Sequence, residues 1–271
     1  MRHHFDCDGR RISYLEMASQ GRATGTLVLL HAFPLAAEMW QPQFAAVPSN
    51  WRVVAPDLAG FGQSSADTAP EPVIDAYARD VLALLDHLRV DAAVIGGLSM
   101  GGYISFAFLR LAPARCRGLI LADTRPEADT EAARAGRLKL IETLDREGAA
   151  GVADSMIPKL LGATTRSARP AVVSTVRALA ASQPGEALRR ATVSLMSRPD
   201  STPLLRDILS PVLVVVGEED EITGPDIARQ MHGQIAGAEL AVIGRAGHLS
   251  NLEQPDEFNL ALSRFLATRF A

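Results

Sequence analysis

The 271-residue sequence predicts an α/β fold, in which a doubly wound, mostly parallel central sheet is flanked by helices and interrupted by a helical cap insertion. Three observations predict it. Short aliphatic runs such as "TLVLL", "AAVIGG" and "PVLVVVG" do not alternate with polar residues, as strands covered by helices on both faces require. Segments of helical spacing stand between those runs, and strand–helix alternation in one sheet calls for right-handed crossovers. The alternation fails only between Arg125 and Leu205, which reads as several helices without a single Phe, Tyr or Trp.

Taken in order, "RRISYLEMA" alternates weakly and predicts a strand near the sheet edge, and "GTLVLLHAF" predicts a fully buried strand ending in a loop. "WRVVAPDLAGFGQSS" repeats that scheme. Ile74, Tyr77, Val81, Leu84, Leu85 and Leu88 form one apolar helical stripe. A strand at "AAVIGG", a helix from Ser99 to Leu111 and a strand at "RGLILADT" follow. Pro158, Pro170, Pro184 and Pro199 are expected to interrupt the helices of the middle block. Alternation then resumes with "SPVLVVVGEED", a helix over residues 225–235, "AELAVIGRAGH" and a last helix from Pro255 to Phe270. The expected sheet has about eight strands. Residues 1–124 and 206–271 are expected to form the core and 125–205 the cap, an insertion into one domain.

Composition excludes several classes. With 48% hydrophobic and 21% charged residues and a net charge of −4, the chain is an ordinary globular one without the positive field that nucleic acid requires. No apolar run approaches the roughly 18 residues of a membrane span, and the polar start "MRHHFDCDGRR" signals no export, so a cytoplasmic protein without a membrane partner is expected. Cys7 and Cys116 stand too far apart in sequence for a paired-cysteine metal motif and are expected to be reduced thiols. His3 and His4 read as solvated bystanders.

In open parallel sheets ligands bind beyond the carboxyl ends of the strands. Those ends carry His31-Ala32-Phe33-Pro34, Asp57, Gly97 to Gly101, Asp123, the acidic run Glu218-Glu219-Asp220-Glu221, and His248. A serine, several carboxylates and a histidine therefore meet at one edge. A hydroxyl is a poor nucleophile near neutral pH, so a histidine must take its proton and a carboxylate must fix that histidine's tautomer.

Gly97-Leu98-Ser99-Met100-Gly101 between strand and helix, with the order Ser99, Asp220, His248, resembles the α/β-hydrolase family, as do "LLHAFP", "PDLAGFGQS", "GEEDEITGP" and "GHLSNLEQPDEF" at successive strand ends. The resemblance implies a nucleophile elbow at Ser99, the acid at Asp220, three residues after Gly217, with Asp123 as the fallback, and the base at His248. It also implies backbone oxyanion donors at Phe33 and Met100. Where family members carry His-Gly, this chain has His31-Ala32, and alanine resists the positive φ that glycine tolerates. Asp57, Gly60 and Gly62 are expected to build a turn. His31, Trp40, Tyr103, Leu138, Ile141, Met156 and Leu249 are the candidate pocket residues.

Serine at the elbow implies hydrolysis of a carboxylic ester or lactone through an acyl-enzyme, with no cofactor or metal, and a cap with aliphatic side chains such as Leu138, Ile141, Leu144, Met156, Ile157 and Met196 but no aromatic ones favours small, aliphatic acyl esters. "GLSMGG" with "GHLSNLEQPDEF" resembles the branch of small carboxylesterases and 3-oxoadipate enol-lactonases, which makes lactone hydrolysis the alternative. "HAFPLAAEMW" also resembles esterase-like perhydrolases. Some proteins of this fold are ligand receptors without turnover, and that class stays open. The implied partner is a small ester or lactone.

Overall fold

A computed structural model describes residues 1–66 and 72–270. The chain forms β1 (Arg2–Cys7), β2 (Arg10–Met17), β3 (Gly25–Leu30), α1 (Gln41–Phe44), β4 (Trp51–Pro56), α2 (Ile74–His87), β5 (Ala93–Leu98), α3 (Met100–Leu111) and β6 (Cys116–Ala122). It continues through α4 (Glu131–Leu160), α5 (Ala163–Ala168), α6 (Pro170–Ala181), α7 (Gly185–Met196), β7 (Val212–Gly217), α8 (Pro225–Gln234), β8 (Glu239–Ile243), α9 (Ser250–Glu253) and α10 (Pro255–Arg269).

The eight strands form one sheet in the order β1-β2-β4-β3-β5-β6-β7-β8. The pairs β1–β2 and β2–β4 are antiparallel, and every pair from β4 to β8 is parallel. The aliphatic runs that read as doubly covered strands are those central strands: β5 and β7 are buried at every residue. Two apolar clusters lie on the two faces. One joins α2 and α3 to the sheet through Val81, Leu84, Ile104 and Phe108, and the other joins α10 through Phe258, Leu262 and Phe265. The chain starts its parallel section at β3, passes to β4 on one side and then to β5 on the other. The strand order thus reverses between β3 and β5, where a crevice opens at their carboxyl ends.

Two departures from the sequence reading have physical reasons. The polar start forms β1, an edge strand in which only Phe5 and Cys7 are buried, while Arg2 and His3 are half-buried and His4 and Asp6 exposed. In the middle block, Pro158 lies inside α4 near its end, and the break instead comes at Gly148, whose φ of 68° divides α4 into two arms. Pro170 does begin α6, and Pro184 caps α7 just before its first residue, positions where a missing N–H costs nothing.

Candidate active site

Strand β5 runs straight into α3, and the residue between them, Ser99, has φ 54° and ψ −111°. Such a conformation costs about 1–3 kcal/mol and persists only if its surroundings hold it. They do: Ser99 N–H donates to Ala122 O of the neighbouring strand, while Ser99 O accepts from Gly102 N–H and the Thr124 hydroxyl. A Cβ at Gly101 would stand 2.2 Å from Leu30 O, so only glycine lets the first turn of α3 lie this close to β3. The result lifts the Ser99 side chain out of the sheet end.

The structure brings together three of the predicted residues from three strand ends. Ser99 Oγ lies 2.8 Å from His248 Nε2, and His248 Nδ1 lies 2.8 Å from Asp220 Oδ2. Nδ1–H therefore donates to the carboxylate, which leaves Nε2 as acceptor for the serine hydroxyl. Asp220 also accepts from Ile222 N–H, Thr223 N–H and the Thr223 hydroxyl. Burial opposes ionisation of Asp220, but His248 and these donors outweigh it and hold its pKa down at about 2.

Asp123, the fallback acid, does not reach the imidazole. Its carboxylate accepts from Gly217 N–H and from the Ser250 hydroxyl instead. Burial first, and the Asp220 charge second, push its pKa well above the ordinary range. Two neighbouring carboxylates are thereby given opposite characters, and the charged one faces the histidine.

Among the described residues, the main-chain N–H groups of Phe33 and Met100 donate to no protein acceptor. They follow β3 and β5, the two strands that flank the switch point. Ala32 is not among the residues of positive φ, so this loop does not need the glycine that the resemblance suggested. Its peptide is fixed by hydrogen bonds: Ala32 O accepts from His31 Nδ1–H at 3.0 Å and from Leu35 N–H at 2.8 Å. That carbonyl shares a peptide plane with Phe33 N–H, so fixing one aims the other. The Asp57 carboxylate supports the same loop from β4 by accepting Ala37 N–H and Gln63 N–H, and Arg2 pairs with it. Gly60 and Gly62, both of positive φ, make the turn beside it.

A family model described as the alpha/beta hydrolase fold matches residues 25–255. The chain belongs to the alpha/beta hydrolase family. It is similar to 3-oxoadipate enol-lactonase 2 of Acinetobacter baylyi, 29% identical over 92% of this chain and 91% of that protein. Among solved structures it is similar to a thermophilic esterase from Thermogutta terrifontis (TM-score 0.91, 34% identity, all of both chains). It is also similar to the enol-lactonase from Burkholderia xenovorans (TM-score 0.88, 27% identity, 98% of this chain and all of that one).

Several pocket expectations need correction in this alpha/beta hydrolase. His31 is wholly buried with both ring nitrogens in use, Nε2 accepting from Leu58 N–H, so it organises two loops and offers nothing to a ligand. Trp40 is core, fully buried against Phe258. Tyr103 lies under the Arg198 guanidinium, 4.0 Å from ring centre, rather than open to a ligand. Leu138 points outward, 53% exposed, and Ile141 on the same arm is half-buried. Leu249 is fully buried beside His248. Met156 does line a cleft of about 560 Å³, together with Lys139, Leu140, Lys159, Glu221 and Ile222. The sequence reading missed this cleft because it forms between the two arms of α4 and the loop after β7, and the Gly148 bend that creates it carried no proline.

Proposed function

We propose that this protein is a serine hydrolase that cleaves carboxylic esters of small acyl groups. The observation that carries the reading is the line Ser99–His248–Asp220, with both hydrogen bonds at 2.8 Å. Ser99 Oγ attacks the ester carbonyl as its proton passes to His248 Nε2, and Asp220 stabilises the imidazolium. The tetrahedral oxyanion is received by Phe33 N–H and Met100 N–H, each lowering the barrier by about 3–4 kcal/mol. The C–O bond to the alcohol breaks as His248 returns the proton to the leaving oxygen. Water, deprotonated by His248, then attacks the acyl-serine and releases the acid. The helices between β6 and β7 act as the cap over this site. Similarity to an esterase supports the reading.

The test is turnover of p-nitrophenyl acetate and butyrate. Ser99→Ala is expected to lower kcat by about 10⁴-fold or more while the protein stays folded. Equal turnover in the variant would overturn the reading, and ligand-induced thermal stabilisation without turnover would favour a receptor.

A second reading, hydrolysis of a carboxylate-bearing lactone, is favoured by one observation. The only two lysines of the sequence, Lys139 and Lys159, line the same cleft at the loop that carries Asp220, and neither is in an ion pair among the described residues. Arg137 in that cleft is spent on Asp129. Exchanging both lysines for alanine is expected to raise KM for an anionic lactone about tenfold and leave that for a neutral ester unchanged. Equal effects on both substrates would remove the support for this reading. Similarity to two enol-lactonases agrees with it.

A further inference from the structure

Glu253 belongs to no step of the chemistry above, yet its side chain is fully buried and forms no ion pair among the described residues. Its carboxylate is held by three main-chain donors. Oε1 accepts from Gly247 N–H at 2.9 Å and from Leu249 N–H at 3.2 Å, and Oε2 accepts from Gly162 N–H at 2.8 Å. Gly247 and Leu249 bracket His248, whereas Gly162 lies in the inserted helices, between α4 and α5.

The acid loop grips the same segment. Glu219, next to Asp220, accepts Thr164 N–H and the Thr164 hydroxyl. The backbones touch: a Cβ at Gly247 would stand 2.2 Å from Gly162 N, and one at Gly162 would stand 2.8 Å from Gly247 N and 2.4 Å from Glu219 Oε2. One short stretch of the insertion is therefore bonded by a carboxylate beside Asp220 and by the carboxylate that spans His248.

We infer that Glu253 is a positioning residue that locks the peptides on both sides of His248 to the Gly162 segment, making that segment part of the frame that aligns the imidazole. Losing the Gly162 bond would leave a buried N–H and the charged Oε2 both without a partner, a cost that holds the junction closed. Motion of the cap is then confined to parts other than residues 162–164. The catalytic half of this inference rests on the serine-hydrolase reading; the coupling of the two segments does not.

The experiment uses the full-length wild type, Glu253→Gln, Gly162→Ala and, as a control, Gly233→Ala, where an added Cβ meets nothing within 4 Å. Hydrolysis of p-nitrophenyl acetate is measured per active site titrated with a fluorophosphonate, and amide hydrogen exchange is followed at residues 247–249. The expected result for Glu253→Gln and Gly162→Ala is a kcat lowered about tenfold or more with KM nearly unchanged, since small misplacements of reacting groups are costly. Exchange at 247–249 should also accelerate in both, with no change in the control. If Glu253→Gln does not fold, Gly162→Ala decides from the other side of the junction. A normal kcat per active site with only a lower Tm would overturn the positioning role, and unaltered exchange at 247–249 in Gly162→Ala would overturn the coupling. Absence of Ser99-dependent turnover in the wild type would be a failure of the hydrolase reading, and exchange would still decide the coupling.

Discussion

His31 illustrates how a residue at the edge of a site can act through the backbone alone. Burial lowers its pKa to about 4, against opposing pulls from the Ala32 carbonyl and the Asp57 charge. The unfolded chain takes up a proton here below about pH 6.5, while the folded chain resists until about pH 4. This contribution is therefore complete above pH 6.5 and is lost as pH falls toward 4, by about 3 kcal/mol. Thermal unfolding followed between pH 7 and 4 should show a shallower fall in Tm for His31→Gln than for the wild type; parallel curves would contradict the buried neutral imidazole. Asp220 adds a second acid limb, since its depressed pKa of about 2 gives stability that is present above about pH 4 and lost below it. At this scale the three residues that meet in the Ser99–His248–Asp220 line were legible and the lining of the cleft was not. Glycines framing Ser99 and an ordered serine, aspartate and histidine at strand ends report backbone constraint and topology. Whether Leu138 or Trp40 faces a ligand depends on side-chain direction, which an apolar residue type does not encode.

Among the elements, the helices between β6 and β7 are the least legible and the most consequential. Prolines mark where α6 and α7 start, but the division of α4 rests on one glycine, which an unbroken helical pattern conceals. The two ends of this helical block are tied by Arg198, which donates to Asp129 Oδ1 at 2.5 Å and to Glu127 O at 2.9 Å while covering Tyr103 of α3. Both partners are almost completely buried, with side-chain exposures of 3% and 4%. Removing one leaves an uncompensated charge in the interior, so Asp129→Ala should cost about 3–5 kcal/mol in denaturant unfolding. A loss below about 1 kcal/mol, the value of a surface pair, would show that Arg198 finds other partners. Asp129 also pairs with Arg137, the arginine of the cleft between the arms of α4, so that among the described residues Lys139 and Lys159 are the cations of that cleft without an ion pair.

Over the whole molecule, the sheet order explains why residues as far apart as Phe33, Ser99, Asp220 and His248 gather. The strand order reverses between β3 and β5, and the loops leaving these two strands carry the Phe33 and Met100 N–H groups and Ser99, while Asp220 and His248 follow β7 and β8 at the same edge. Uninterrupted aliphatic runs made the parallel strands legible. Strand β1 was not, because an edge strand with only Phe5 and Cys7 buried has almost no apolar signature.

The central claim is that Ser99 is the nucleophile activated by His248. Peptide mass mapping after inactivation with a fluorophosphonate tests it most directly. The account predicts one phosphonyl group per chain, attached at Ser99, appearing in step with loss of ester hydrolysis. Complete inactivation with Ser99 unmodified would contradict it.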